Sequence, residues 1–252
     1  MANKDTSSIS PRFWLVFLVA FLPIIFGGYL VWMEWPQAHL RVSFFNLGTA
    51  KNKNMLVLIE APNGVRVLIN AGDEDRAALS ILGRSLPIYQ YKIDAVILTE
   101  MKRKYIGGFP SVAERYDVGK VLAPFLNVNT ASVSEASSTS DQRAIEAVMS
   151  SLSEKKLEAK IALQGMKIVL DQKRDIYLEI LFPDRIFSSA RREMREGIIV
   201  SRLVYGKTVF TFSDGVSQSI RDYLKLPADE WRASSSSVER FESDGEKMWR
   251  IN

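Results

Sequence analysis

The stretch from Leu98 to Gly108 reads L-T-E-M-K-R-K-Y-I-G-G, and it is the most informative part of the sequence. A short apolar run from Ile93 to Leu98 precedes it and predicts a buried strand. The Gly-Gly pair is followed by Pro110, which is typical of the first turn of a helix. The stretch itself carries three consecutive cationic side chains: Lys102, Arg103 and Lys104. It therefore joins a buried strand to a helix through a strongly basic loop.

Strand and helix signals alternate on both sides of this loop. The apolar patterns predict strands at 40–47, 55–61, 65–69, 93–98, 120–123, 160–163, 166–170, 176–182, 198–205 and 208–212. They predict helices at 74–82, 110–116, 141–156 and 216–226, and the polar segment 127–141 is expected to be an exposed loop. Asn63-Gly64 predicts a hairpin turn, because both residues accept positive φ. Hairpins combined with strand–helix alternation favour a mixed α/β fold.

The longest apolar run lies near the N-terminus. From Phe13 to Trp35 the only charge is Glu34, and about 20 apolar residues suffice to span a bilayer. We therefore predict a membrane anchor at 13–35; a cleaved signal peptide and a buried helix are the alternatives, although no small-x-small cleavage site follows the run. Because Lys4 and Arg12 precede it, the positive-inside rule favours a cytoplasmic stub at 1–12. The expected location is the plasma membrane, single-pass, with an extracytoplasmic soluble domain.

Composition limits the chemistry that the chain can perform. The 252 residues include no cysteine and one histidine, His39, so thiolate metal sites and disulfides are excluded. His39 directly follows the apolar run, which is typical of a membrane-interface residue. The net charge of +4 could favour anionic lipid or nucleic acid but specifies neither. A polar tail is expected to be loosely ordered from 227 to 252.

Six segments carry a resemblance to a known family. They read V-S-F-F-N-L-G-T-A-K at 42–51, L-I-E-A-P-N-G at 58–64, L-I-N-A-G at 68–72, I-D-A-V-I-L-T at 93–99, Y-D-V-G-K-V-L at 116–122 and V-S-R-L-V-Y-G-K-T-V-F-T-F-S-D at 200–214. In this order and spacing they resemble the metallo-β-lactamase-like domain of ComEC-type competence (DNA-uptake) proteins. The resemblance implies a four-layer αββα sandwich over 39–226, in a family of metal-dependent hydrolases.

The departures from the family are concentrated at its metal site. The family junction reads T-H-x-H-x-D-H-x-G-G, and its His and Asp side chains hold one or two metal ions. The four matching positions here are Glu100, Lys102, Lys104 and Tyr105. Asn70 replaces the Asp of a D-G-G motif, and Asp214 remains at the position of a bridging ligand. The resemblance therefore implies a degenerate site, and the family's zinc or manganese is not expected.

Three functions are compatible with these residues. The first is a catalytically inactive binding or scaffolding component of a membrane assembly, with a protein partner and a connection to DNA uptake. The second is an active hydrolase or nuclease in which Glu100 and Asp214 hold Mg²⁺ or Mn²⁺, although the neighbouring cations oppose a dication. The third is a nucleic-acid or phosphate-ligand binder that combines the basic loop with a second group of cations: Arg191, Arg192 and Arg195. A simply solvated loop is the competing explanation for the basic residues, because charge alone carries no specificity.

Overall fold

The computed structural model describes residues 21–23, 39–48, 54–73, 76–124, 138–183, 198–213, 216–226 and 238–251. The chain divides into two compact units, Met1–Pro36 and Gln37–Asn252. The predicted anchor at 13–35 lies outside the described residues except for 21–23, which are helical. Within the described ranges no helix is long and apolar enough to cross a membrane. All the described strands and the remaining described helices lie in the second unit.

The described part of this unit contains two sheets and five helices. Its strands are β1 (Leu40–Asn46), β2 (Met55–Glu60), β3 (Arg66–Ile69), β4 (Lys92–Ile97), β5 (Asp117–Ala123), β6 (Glu158–Ile161), β7 (Lys167–Asp171), β8 (Ile176–Phe182), β9 (Val200–Tyr205), β10 (Thr208–Phe212), β11 (Val238–Ser243) and β12 (Met248–Ile251). Its helices are α1 (Ala77–Ser85), α2 (Arg103–Ile106), α3 (Phe109–Arg115), α4 (Thr139–Glu154) and α5 (Gln218–Leu224). Every strand and helix predicted within the described residues is present, with ends that differ by a few residues.

The larger sheet has the order β12-β11-β1-β2-β3-β4-β5-β6, and the smaller has the order β10-β9-β8-β7. In the larger sheet, β3, β4, β5 and β6 run parallel to one another, while the other pairs are antiparallel. Parallel strands end at the same edge of a sheet. The turn after β3 and the basic loop after β4 therefore lie side by side.

Three groups of buried apolar side chains define four layers. One packs α1, α2, α3 and α4 against a face of the larger sheet, with Leu82, Ile106 and Val148 among its members. A second fills the space between the two sheets. The third joins the far face of the smaller sheet to Ile220 of α5. The predicted mixed α/β sandwich, with helices on both outer sides, is confirmed at this level.

The expectation of a loosely ordered C-terminal tail is wrong for residues 238–251. β11 pairs with β1 and β12 pairs with β11, so both strands belong to the larger sheet. Two of the buried positions of β11 are polar, Glu239 and Ser243, and Phe241 lies between them. Arg41 of β1 binds Glu242 at 2.8 Å. Because polar residues occupy buried positions, the alternation that marks a half-buried strand is hidden in this sequence.

Candidate functional site

Asn70 ties the end of β3 to the loop that follows β4. Its Oδ1 accepts hydrogen bonds from the backbone N–H and the hydroxyl of Thr99, at 2.9 and 2.8 Å. Its Nδ2 donates to the carbonyl of Met55 at 3.2 Å. Asn70 has a φ of 63°, a left-handed conformation that Asn tolerates better than most residues. An amide can donate and accept at once, so at this position the side chain holds backbone together in a way that a carboxylate could not.

Gly108 lets the basic loop pass directly against the turn after β3. The N–H of Ala71 donates to the carbonyl of Tyr105 at 2.7 Å, and the N–H of Gly108 donates to the carbonyl of Gly72 at 3.0 Å. A Cβ at Gly108 would lie 2.2 Å from the Ala71 carbonyl oxygen. Such a contact leaves no room for a side chain. The backbone of the loop is thus fixed by contacts that do not involve the ligand positions' side chains.

Glu100, at the first ligand position, is only 2% exposed. It forms an isolated antiparallel bridge with Ile198, and the N–H of Ile199 donates to Thr99 at 2.7 Å, which joins the loop to the beginning of β9. Lys102, at the second ligand position, forms an ion pair with Glu100 Oε1. Burying a carboxylate is costly unless it is paired. The Lys102 ammonium, half of whose side chain is exposed, supplies that pairing.

The other two ligand positions point to different environments. Tyr105 is 1% exposed and belongs to the apolar core beneath the helices. Lys104 is exposed, and its Nζ lies 4.4 Å from the centre of the Tyr105 ring. This distance is within the range of a cation–π interaction. Tyr105 is therefore a core residue, and Lys104 is a surface cation.

Arg103 is held by two carboxylates. Its Nε donates to Asp73 Oδ1 at 2.7 Å, and its backbone N–H donates to Asp141 Oδ1 at 2.7 Å. The helix predicted to start at Asp141 begins at Thr139 instead, and Ser138 is its cap, with a hydroxyl that accepts from the N–H of Asp141 at 3.2 Å. Asp141 is far from the loop in sequence, so no local signal could have identified this contact. The charge of the basic loop is partly offset by carboxylates from two other segments.

Ser213 directly precedes Asp214, one of the predicted site residues. It follows the end of β10 and is 5% exposed, and its Oγ accepts from Arg221 Nη2 at 3.2 Å. Because Phe212 pairs with Ser201, Ser213 lies at the same end of the β9–β10 hairpin as Ile198, the residue that bridges Glu100. The other predicted site residues lie outside the described residues, and their roles stay predictions: Asp214, Arg191, Arg192 and Arg195.

The residues at the four ligand positions do not fit a metal ion. Zinc takes imidazole, thiolate or carboxylate donors, and only Glu100 among the four offers one. Its Oε1 is occupied by the Lys102 ammonium, and a dication placed there would be repelled by that charge. Among the described residues no group of three or more His, Cys, Asp or Glu side chains could hold a metal. Glu100 is thus the only one of the four positions that offers such a donor.

Comparisons with known proteins bear on the fold. No family model matches the chain, and no curated protein sequence matches it. The similar solved structures include a Thermotoga maritima protein assigned to the metallo-β-lactamases, with 11% identity, 74% of this chain and 91% of that chain covered, and a TM-score of 0.49. Metallo-β-lactamase SMB-1 is similar at 14% identity, with 75% of this chain and 70% of that chain covered and a TM-score of 0.45. The Rm3 metallo-β-lactamase is similar at 13% identity, with 79% of this chain and 66% of that chain covered and a TM-score of 0.43. At such identities the likeness concerns the fold and assigns no residue a role.

Proposed function

We propose that this protein is a catalytically inactive, metallo-β-lactamase-like domain, anchored in the membrane, that acts as a binding or scaffolding component. On the ComEC-type resemblance, we connect its assembly with DNA uptake. The soluble domain would stand on the extracytoplasmic side and bind a protein partner.

One observation carries the proposal: the ion pair between buried Glu100 and Lys102. A metal site in this fold needs several donors around an open position for water. Here the only carboxylate among the four positions is neutralised by its neighbour, and the last position, Tyr105, lies in the core. The loop backbone is nevertheless held tightly by Asn70 and Gly108. A tightly held loop backbone without a set of metal-binding side chains is what we expect of a binding protein that no longer uses catalysis.

The alternative hypothesis of an active hydrolase requires that the ion pair between Glu100 and Lys102 be broken. Glu100 would have to exchange the Lys102 ammonium for a dication and share it with Asp214. The decisive measurement is the metal content of the full chain, in detergent, after incubation with Zn²⁺, Mn²⁺ or Mg²⁺ and removal of excess ion. We expect no stoichiometric metal in the wild-type protein. About one or two ions per chain, lost in Asp214→Ala, would overturn the proposal.

A matched variant sharpens this measurement. Lys102→Met removes the cation that pairs with Glu100 and leaves the rest of the loop in place. If metal appears only in Lys102→Met, the ion pair is what excludes metal from an otherwise competent site. If neither protein binds metal, the donor set itself is insufficient. Both outcomes agree with an inactive wild-type protein.

The nucleic-acid or phosphate-binding alternative depends on the basic loop. Each of its three cations has an intramolecular contact: Lys102 with Glu100, Arg103 with Asp73, and Lys104 with the Tyr105 ring. The two carboxylate contacts reduce the charge available to a phosphate. We expect Arg103→Gln/Lys104→Gln to bind a fluorescent single-stranded oligonucleotide as the wild type does, at low and moderate salt. A marked, salt-sensitive loss, absent from the exposed control pair Lys155→Gln/Lys156→Gln, would favour the phosphate binder.

A further inference from the structure

A cleft lies at the edge of the larger sheet where β4 and β5 begin. The cleft, of about 150 Å³, is bounded by the C-terminal end of α1, the segment 86–91 and the junction of α3 with β5. The N–H of Asp117 donates to the carbonyl of Tyr91 at 2.7 Å and holds two of these walls together. Because β4 and β5 begin here and the basic loop follows the end of β4, the cleft is separate from the degenerate metal site.

One side of the cleft is apolar and unusually exposed. Leu79, Leu86 and Pro87 line it, and Ile88 at its rim is 81% exposed. Tyr91, also in the lining, is 43% exposed. Single exposed apolar residues are ordinary, but an aliphatic and an aromatic side chain that share the rim of a cleft are typical of a binding surface.

The polar side of the cleft offers hydrogen-bond donors. Tyr116 is 8% exposed and lines the cleft, and no described residue hydrogen-bonds its hydroxyl. Burial raises the pKa of Tyr116, despite the nearby Arg115, so the hydroxyl is a neutral donor at pH 7. The Arg115 guanidinium lies 5.0 Å from the centre of the Tyr91 ring, which orients this exposed cation beside the cleft. The Arg115 guanidinium and the Tyr116 hydroxyl thus belong to the same lining as the apolar residues.

Size restricts what can bind there. A cleft of 150 Å³ has room for about five water molecules, which is well below the usual size of a cofactor or drug-sized pocket. It can accept one large side chain. A charged guanidinium and a phenol call for an acceptor with negative charge, and a carboxylate pairs with Arg in a bidentate geometry. A residue that carries both a free carboxylate and an aliphatic side chain matches both sides of the cleft within this volume.

We infer that this cleft binds the C-terminal residue of a protein partner, an aliphatic residue such as Leu with its free carboxylate. The carboxylate would accept from Arg115 and the Tyr116 hydroxyl, and the side chain would pack between Leu86 and Ile88. This inference deepens the proposed scaffolding function, because it names the chemistry of the partner. Its test does not use metal content, so the two can fail separately.

The test uses the full chain and three fluorescein-labelled peptides, with binding measured by anisotropy. The first, Gly-Ser-Gly-Ala-Leu, has a free carboxylate; the second is its C-terminal amide. The third, Gly-Ser-Glu-Leu-Gly amide, carries an internal acidic residue beside Leu. We expect the free acid to bind and amidation to weaken binding about tenfold, because a charge-assisted hydrogen bond is lost. Preference for the internal Glu peptide would overturn the C-terminal assignment.

Two variants locate the site. Arg115→Gln should weaken binding of the free acid about tenfold, and Tyr116→Phe, which keeps the buried ring, about threefold. Arg143→Gln changes an arginine on α4, away from the cleft lining, and should leave binding unchanged. Equal affinity for the acid and the amide, no detectable affinity for the acid, or insensitivity to Arg115→Gln would each overturn the inference.

Discussion

Two asparagines flank β3: Asn63 lies in the turn before the strand, and Asn70 directly follows it. We call the corresponding ends of the sandwich the turn end and the loop end, and the two ends differ in chemistry. At the turn end, exposed Asn63 accepts from the N–H of Val65 at 3.1 Å and donates to the carbonyl of Leu170 at 2.6 Å. At the loop end, Asn70 is 2% exposed and binds Thr99 and Met55 in the same manner. One amide secures a surface turn, and the other secures a buried junction.

One ion pair near each asparagine can also be compared. At the turn end, Asp94 accepts from the backbone N–H of Arg66 at 2.8 Å and pairs with exposed Lys92. At the loop end, the Glu100 carboxylate is buried and its pairing with Lys102 is internal. The two ends therefore differ in where their paired carboxylates lie, Asp94 beside an exposed lysine and Glu100 inside the loop. The cleft that Arg115 and Tyr116 line is near the turn end.

The largest expected effect tests whether the loop end is as rigid as its contacts indicate. Gly108→Ala should lower the free energy of unfolding by more than about 4 kcal/mol, because its Cβ would meet a backbone carbonyl at 2.2 Å. Gly83→Ala on α1 is the control, since its Cβ would meet nothing within 4 Å. That variant should gain up to about 1 kcal/mol from helix propensity. Denaturant unfolding measures both, and similar stabilities would show that the loop is not packed against the turn after β3.

The next effect compares the two asparagines directly. Asn70→Ala should cost about 3 kcal/mol, because it leaves the buried N–H of Thr99 without its acceptor and places Ala at positive φ. Asn63→Ala should cost about 1 kcal/mol, because water can replace its contacts at an exposed turn. Chemical denaturation of both variants gives the two values. Equal losses would remove the distinction between a buried and an exposed end.

A third experiment compares the ion pairs. Lys102→Met should cost about 2 kcal/mol, since it removes the ammonium that pairs with a buried carboxylate, although the exposure of Lys102 reduces the loss. Lys92→Met removes a surface cation and should cost about 0.5 kcal/mol or less. The double variant Glu100→Gln/Lys102→Met should recover much of the first loss, because a neutral amide does not need the ammonium. No recovery in the unfolding free energy would mean that the pair contributes through packing alone.

The secondary structure around the basic loop follows largely from local sequence signals. The turn at Asn63-Gly64 forms as predicted, with Gly64 at a φ of 87°. The strand before the basic loop and the helix after Gly108 are also present, because apolar runs, glycine and proline act over short distances. The parallel pairing of β3 with β4 places Asn70 and Glu100 at one edge of the sheet.

The contacts that define the chemistry are long-range and could not be predicted. Arg103 is held by Asp73 and by Asp141 of α4, and nothing in the intervening sequence signals either pairing. The acidic cluster beginning at Asp73 predicts the N-terminus of a helix, yet α1 begins only at Ala77 and its first turn has no acidic residue. The burial of Tyr105 likewise depends on which helices cover the loop.

The smallest expected effect is a pH dependence confined to the turn end. Burial acts to raise the pKa of Asp171, but hydrogen bonds from Arg174 and Lys173 outweigh it and hold the pKa below its ordinary value. A carboxylate with a lowered folded-state pKa stabilises the fold above its unfolded pKa of about 3.9, and that stability is lost as the pH falls through the folded-state value. Asp171→Asn should therefore cost about 1 kcal/mol at neutral pH and progressively less in acid. Unfolding at several pH values measures this, with Asn63→Ala as a control whose loss involves no titrating side chain. A difference between wild type and Asp171→Asn that stays constant into acid would show that Asp171 acts through its shape and not through its charge.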